Sequence, residues 1–461
     1  MKINYFLIIL AFLASTLQLT SQVTIEGKVL DEKNEPLEGA AVYLNNTSIG
    51  TTTNELGEFE LRIKEGSHDL IVSFFSFETI QYSLNTDNYS SPLTFKLIQK
   101  NNVLDEVVIS NKKKKMSAED RAYFMGRFKR NFLGKTNLAK ECIILNEEVI
   151  EFYFDKTTNT LTADTKEPLK IKNRGLGYLI TYDLVHFELD QQRISYLGYT
   201  RFEKLKGSKR KDRKWDERRR TAYNGSTMHF FRSVVNNNLK EEGYVIDQFK
   251  EVPNPKRPSD SLINDARKRL RYFSKNDLTS NFKLFSTKDL NIKANRDEVI
   301  DRMANNPDLN ISLLKAQRLK GSAFDVIKNS DGTYTAKTKV VSNKKRDSLM
   351  SVIQKSRLKK YVNVPLKNDL TRDDFAYKEK DNFHLRFDHQ LKIKYMNEPE
   401  EDNYRFGNAK LDHQISMIFL YVKNTPIDNS GVLVRPLDIF LNGYWSYEKL
   451  ADALPLDYTP D

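Results

Sequence analysis

The stretch from residue 23 to 110 constrains the fold more than any other. Val23, Ile25 and Val29 fall on one side of a period-two pattern, with Thr24, Glu26 and Lys28 on the other. That alternation predicts a strand with one buried face. Asp31-Glu32-Lys33-Asn34-Glu35-Pro36 is polar and ends in proline, so it turns the chain. Strands restart at Ala41-Val42-Tyr43-Leu44 and at Ile49-Gly50-Thr51-Thr52-Thr53, and Asn54-Glu55-Leu56-Gly57 is a second turn. Phe59, Leu61 and Ile63 then alternate with Glu58, Glu60, Arg62 and Lys64 until Gly66 breaks the run. Leu70-Ile71-Val72-Ser73-Phe74-Phe75 reads as a more deeply buried strand, and Phe95-Lys96-Leu97 and Val107-Val108-Ile109 complete the set. Short strands separated by regular turn signals predict a β-sandwich.

These residues also resemble a known family. Gly27-Lys28-Val29, Pro36-Leu37-Glu38-Gly39-Ala40, Gly50-Thr51-Thr52-Thr53-Asn54 and Gly57-Glu58-Phe59-Glu60-Leu61 are similar to the carboxypeptidase-regulatory-like domain. Leu104-Asp105-Glu106-Val107-Val108-Ile109 resembles the segment that closes this domain in TonB-dependent outer-membrane transporters. The resemblance implies a transthyretin-like sandwich with no catalytic role of its own. It covers 23–110 alone. Val107, Val108 and Ile109 have two placements: last strand of the sandwich, or a strand offered to an envelope partner.

Residues 1–22 have the form of a secretory signal. Lys2 precedes an apolar core, Ile3 to Leu13, broken by Asn4, and small and polar residues follow. That core is too short to span a bilayer, so removal on export is expected. No cysteine stands at the expected cut, which argues against a lipid anchor, and no long apolar helix follows. The formal net charge of +12 suits an acidic surface such as lipid phosphates. Nucleic acid is the rival partner, and the signal argues against it. Cys142 is the single cysteine, so no intrachain disulfide can form. Its neighbours Ile143, Ile144 and Leu145 suggest a buried structural thiol.

Past the sandwich, Lys112-Lys113-Lys114-Lys115 marks a linker over 111–118. An α+β region over 119–255 opens with a helix capped by Ser117, its Phe124, Phe128 and Phe132 at four-residue spacing. Glu148 to Asp155 with Thr160 to Thr165 reads as a hairpin, and Tyr178 to Leu189 and Ile194 to Leu205 as longer strands. The Lys/Arg-rich run from Lys204 to Arg220 reads as a solvated loop, or as a phosphate-facing one. A helix capped by Ser226 follows. Pro253, Pro255 and Pro258 open a poorly defined region, 256–365, with helical patterns at 261–273 and 346–359. Over 366–461 the pattern is β-rich. Phe383, Leu385, Phe387, Leu391, Ile393 and Tyr395 form one face of a single strand, His384 to Lys394 its wet face, and 411–422 another strand. A short helix over 447–453 stops at Pro455. Phe132-Leu133-Gly134, Asn224-Gly225-Ser226 and the ending from Trp445 to Tyr458 resemble uncharacterised exported proteins that carry the same regulatory-like domain.

No familiar chemistry emerges from the motifs. A zinc carboxypeptidase needs His-x-x-Glu and a distant His. The third residues after the six histidines are Ile71, Leu189, Arg232, Phe387, Lys392 and Ser416, and none is glutamate. Gly134-Lys135-Thr136 lacks the first glycine of a phosphate loop, since Lys129 stands in its place. Gly175-Leu176-Gly177 lacks the third glycine of a dinucleotide fingerprint, and Met228 replaces the second glycine of a nucleophile elbow. No metal ligand set and no cofactor are implied. Ser226, His229 and Arg232 form an anion-site candidate at a helix N-terminus, against a plain cap with packed side chains. His389 and His413 read as core histidines.

The sequence therefore predicts a mainly β chain: an N-terminal transthyretin-like sandwich joined to an α+β C-terminal region. It reads as an exported, non-catalytic protein in the periplasm or at the outer membrane of a Gram-negative bacterium, with a binding or structural role. The alternative is a hydrolase whose site includes His229 and Arg232.

Overall fold

The structure, a computed structural model, describes residues 22–100, 116–191, 193–271, 309–311, 324–328, 330, 334–338, 343–380, 382–404 and 410–460. The chain divides into two units, Met1–Gln248 with Lys367–Asp461, and Phe249–Leu366. It is mainly β. The signal-like segment, the lysine run and Val107, Val108 and Ile109 lie outside the described residues.

The N-terminal strands are β1 (Gln22–Leu30), β2 (Ala41–Leu44), β3 (Gly50–Thr52), β4 (Glu58–Lys64), β5 (Ser67–Ser73), β6 (Ile80–Asn85) and β7 (Leu93–Lys96). They form two sheets, ordered β4-β1-β7 and β3-β2-β5-β6. Inward residues from the first sheet (Ile25, Val29, Phe59, Leu61, Ile63) meet Val42, Leu44, Leu70, Val72 and Leu84 from the second. This is the sandwich that the alternation predicts. Each such side chain contributes about 1.5–3 kcal/mol on burial. Gly27 permits the parallel pairing of β1 with β7: a Cβ at Gly27 would sit 2.5 Å from the Leu93 carbonyl oxygen and 2.6 Å from the Phe59 ring. β6 lies outside the strands expected from the sequence, because its single fully buried residue, Leu84, leaves a weak apolar signal.

The next layer pairs α1 (Ala118–Phe132) and the single-turn α2 (Asn137–Lys140) with six strands: β8 (Cys142–Ile144), β9 (Ile150–Asp155), β10 (Thr160–Thr165), β11 (Leu169–Asn173), β12 (Tyr178–Leu189) and β13 (Ile194–Lys204). Their order is β8-β11-β12-β10-β9, with β13 also on β12. Ser117 Oγ caps α1 by accepting from Asp120 N at 3.0 Å. The aromatic stripe of α1 is core: the Phe128 ring lies 4.7 Å from Phe187, and Phe132 meets Tyr182 edge-on at 5.0 Å. Cys142 is half-buried at the end of β8 rather than sealed in the core. Desolvation, with Asp452 and Glu141 nearby, pushes its thiol up to about 12, so it stays protonated and unreactive at neutral pH.

The basic run is not a loop. It forms α3 (Lys209–Tyr223), followed by α4 (Thr227–Asn236). No glycine or proline interrupts 209–223, and its straight-chain residues favour helix. Trp215, Arg219, Ala222 and Tyr223 give the helix a buried face. Trp215 Nε1 donates to the Arg174 carbonyl at 2.9 Å, and Arg219 Nε donates to the Leu176 carbonyl at 2.9 Å while its guanidinium lies 4.4 Å from the Tyr178 ring centroid. Gly177 makes this fit possible. Its φ is +72°, and a Cβ there would fall 2.3 Å from the Trp215 ring.

Within Phe249–Leu366 the structure places the end of β14 (Tyr244–Pro253), α5 (Asp260–Arg271), β15 (Leu309–Ile311), β16 (Phe324–Lys328), β17 (Tyr334–Thr338), α6 (Asn343–Lys355) and most of β18 (Tyr361–Lys367). β17 lies between β15 and β16, and α5 packs on α6.

The remaining elements are β19 (Ala376–Glu379), β20 (Asn382–Leu385), β21 (Gln390–Tyr395), β22 (Gln414–Leu420), β23 (Thr425–Ile427), β24 (Ile439–Gly443) and α7 (Tyr444–Tyr447). β21, β22 and β24 are successive neighbours in one sheet with β14, and β19, β20 and β23 form another. The single strand expected over 383–395 is therefore two strands in different sheets. The chain turns at His389, whose φ is +64°, and Gln390 is buried instead of wet. His389 is exposed on that turn, and His413 is half-buried with Nδ1 2.7 Å from Asp412 Oδ1; neither is a core histidine. The final helix also differs: α7 ends at Tyr447, Glu448 and Lys449 are extended, and a 3₁₀ turn covers Leu450–Asp452.

The sandwich is docked on β13 through its β2–β3 turn. Asn46 N donates to the Thr200 carbonyl at 2.7 Å, Phe202 N to the Thr47 carbonyl at 3.0 Å, and Thr200 N to Asn45 Oδ1 at 3.0 Å. Thr79 Oγ1 adds a 2.6 Å bond to Asp183 Oδ2. The turn extends the β13 edge by a short parallel bridge, Thr47 with Arg201.

Candidate functional site

The residues 444–458 lie against every layer of the first unit. Trp445 is buried in the core under α4, and its Nε1 donates to the Gly225 carbonyl at 2.6 Å. Leu450 and Leu454 belong to the core of α1 and its sheet. Ala451 N donates to the Leu133 carbonyl at 3.1 Å, and its own carbonyl accepts from buried Asn173 Nδ2 at 2.8 Å. Leu456 N donates to the Asn46 carbonyl of the sandwich at 2.7 Å, and Asp457 accepts from Ser48 N at 2.7 Å and from the Ser48 hydroxyl.

The same segment walls a cavity of about 1210 Å³. Its other walls are the end of α1 (Arg130, Asn131), the β12–β13 hairpin (Tyr182, Tyr196), the start of α4 (Ser226, Phe231), β24, and Asn46 from the sandwich. Its ionisable lining is Arg130, Lys135, Glu188, Asp190, Arg193, Glu448, Lys449 and Asp452; within it Asp452 acts on Glu448, and Lys135 on Lys449. Asp452 Oδ2 accepts from Thr136 Oγ1 at 3.0 Å and more weakly from Lys449 N at 3.4 Å. Behind them, Glu401 accepts from Tyr447 Oη at 3.0 Å and from Asn137 N at 3.1 Å. The Glu448 carboxyl has no hydrogen bond to another of the described residues.

Crowding of acids out of bulk water sets their protonation. Desolvation pushes the Asp452 carboxyl up to about 7; the Thr136 hydroxyl and the Lys449 amide pull it down, and the charge of Glu401 adds to the rise. Glu448 is raised well above the usual carboxylate range by desolvation and then by Asp452, Glu398 and Glu401. Lys449 is lowered to about 8 by desolvation and by Lys135. Near neutral pH the Glu448–Asp452 pair holds a proton that it can donate or exchange, beside a lysine near its own midpoint. Such a pair can hydrogen-bond a polar ligand or serve as general acid and base. Among the described residues no three His, Cys, Asp or Glu side chains are grouped to hold a metal ion.

The residues singled out from sequence have other surroundings. Ser226 caps α4: its Oγ accepts from His229 N at 3.2 Å and donates to the Tyr223 carbonyl at 2.6 Å. His229 is buried among aromatic rings. Its Nδ1 accepts from Gly225 N at 3.1 Å, so the proton is on Nε2, which donates to Glu242 Oε2 at 3.0 Å. Desolvation lowers its pKa despite that carboxylate, which keeps it neutral. Arg232 points elsewhere, its Nη1 and Nη2 donating to the Tyr458 and Leu456 carbonyls at 2.9 and 2.8 Å. Of the three, Ser226 lines the cavity, while His229 and Arg232 hold backbone and neighbours in place. Lys135, Glu448, Lys449 and Asp452 were missed. Their one signal is the four-residue spacing of Glu448 and Asp452, which matches one face of an α-helix, whereas the chain is extended at Glu448 and Lys449 before the 3₁₀ turn that holds Asp452.

The family match to known proteins falls on the sandwich. Residues 25–109 match the CarboxypepD_reg-like domain. Over 88 residues, 19% of this chain, the sequence is 32% identical to the TonB-dependent receptor SusC of Bacteroides thetaiotaomicron. The matched stretch covers 8% of that receptor's length. The cavity is built almost wholly from residues beyond the match, with Asn46 as the sandwich's contribution.

Proposed function

We propose that the chain is an exported protein of the Gram-negative envelope that binds a ligand without transforming it, its sandwich serving as a docked structural module. The observation that carries this reading is the shared cavity wall: Asn46 of the CarboxypepD_reg-like domain and Leu456, which it holds, both face the 1210 Å³ space. A mixed lining of aromatic rings, lysines and a protonated carboxyl pair suits a polar ligand with both donors and acceptors. The SusC similarity supports an envelope setting, and no helix among the described residues is long and apolar enough to cross a membrane.

The Glu448–Asp452 pair favours one second reading, a hydrolase that uses one carboxyl as acid and the other as base. A panel of chromogenic ester, amide, glycoside and phosphoester substrates separates the two. The binding reading expects no turnover that responds to Glu448→Gln or Asp452→Asn. Turnover abolished by either variant establishes the hydrolase. Export is tested by N-terminal sequencing of the protein recovered from the envelope, which should start between Ser15 and Val23; a retained Met1 contradicts it.

A further inference from the structure

We infer that the outward face of α3 is a docking surface for an anionic lipid bilayer. The inner face of this helix is occupied: Trp215 and Arg219 pack on the turn at Gly177, and Arg218 pairs with Glu141 at 3.0 Å. At 100° per residue, Arg210, Arg213, Lys214 and Arg220 fall on the opposite side with Lys209 at its flank, and all five are exposed. None of them forms an ion pair with another described residue. The acids do little to offset them. Asp216 is paired with Arg219 at 2.9 Å, and Glu217 is the one acid centred on the outward face. The helix is 15 residues long, or about 22 Å at ~1.5 Å per residue, so it presents a row of cations long enough to meet several phosphates at once.

The chemistry of the face favours headgroups over nucleic acid. No aromatic side chain is exposed on it to stack on bases, because Trp215 and Tyr223 are buried. No large apolar residue is exposed on it either, so attachment is electrostatic and peripheral, without insertion. The inference rests on the envelope reading for its setting, but its test does not depend on export.

The purified full chain is sedimented with vesicles of phosphatidylcholine alone or with 30% phosphatidylglycerol, as salt rises from ~50 to ~500 mM. The expected result is binding to the anionic vesicles alone, lost at high salt. The triple variant Arg210→Glu, Arg213→Glu, Lys214→Glu should weaken binding by at least about 100-fold, since each basic residue lost near an anionic surface is worth roughly fivefold and the new carboxylates add repulsion. The control Lys64→Glu, Lys96→Glu, Lys100→Glu makes the same charge change on exposed sandwich positions and should retain most binding. Circular dichroism and thermal melting confirm folding; the Gln triple at the α3 positions replaces the Glu triple if that does not fold. Absence of binding to anionic vesicles overturns the inference. So does equal loss in the control, which would make binding a matter of net charge, and so does duplex DNA that displaces the vesicles and needs the same three residues. Failure of export with intact vesicle binding would count against the envelope reading alone.

Discussion

The sandwich and the layer built on α1 bury their cores in different ways. In the sandwich every core residue lies between Ile25 and Leu97, so its contacts close over short loops. The α1 layer draws its core from residues 124 to 223 and then from Leu450 and Leu454, more than 200 residues later. The first needs little beyond its own strands. The second is completed by a segment from the far end of the chain, and that segment also carries the acids of the cavity and the clasp on the sandwich. The difference teaches that domain likeness is informative where contacts are local, and that this chain's own chemistry is assembled where they are not.

The comparison can be broken most forcefully at Trp445. Trp445→Ala removes a buried ring and a hydrogen bond to Gly225, and should cost about 3–5 kcal/mol. Ile63→Ala should cost about 2–5 kcal/mol in the sandwich core. Denaturant unfolding followed by hydrogen exchange should show the Trp445 variant losing protection in β21, β22 and α4 while β1 and β4 keep theirs, and the reverse for Ile63→Ala. Identical losses in both variants would mean that the sandwich and the core under α4 fold as one unit.

Gly177→Ala comes next. It forces a side chain into a left-handed conformation against the Trp215 ring and should destabilise by about 2–4 kcal/mol. Denaturant midpoints check it, and an unchanged midpoint would mean that α3 is free to shift.

The smallest effect concerns the carboxyl pair, and its sign follows from the direction of the shifts. A carboxyl whose pKa is raised by folding favours the folded state when protonated. That contribution is full below the unfolded pKa, near 4, and is lost as pH rises through the folded value, about 7 for Asp452. Glu448→Gln puts a side chain that is neutral at every pH in place of one that ionises in the unfolded chain above about pH 4. It should stabilise the protein by about 1–2 kcal/mol at pH 8 and have little effect at pH 4. Thermal melts of variant and parent at the two pH values decide it, and a stabilisation that is equal at both would contradict the raised pair.

Alternation made the sandwich readable: Phe59, Leu61 and Ile63 announce their face from neighbouring residues alone. The same held for the α1 stripe and for the hairpin Ile150–Asp155 with Thr160–Thr165. Reading failed where one residue overrode a pattern. His389, in a left-handed turn, splits an apparently continuous strand, and Trp215 and Arg219 make a packed helix of what looks like a solvated basic run. The cavity acids carried almost no signal, because their pKa values depend on burial by partners hundreds of residues away. His229 misled in the opposite sense: its spacing to Arg232 suggested a shared anion, yet the two side chains serve different backbone segments.

The central claim is that the sandwich is locked to the α1 layer through its 45–49 turn and the 456–457 segment. Amide hydrogen exchange of the full chain tests it at three positions: Asn46, which donates to Thr200, Phe202, which donates to Thr47, and Leu456, which donates to Asn46. All three should exchange as slowly as amides in the β12–β13 hairpin. Exchange of all three at loop rates, with Phe187 and Tyr196 still protected, would show that the clasp is open and would contradict the claim.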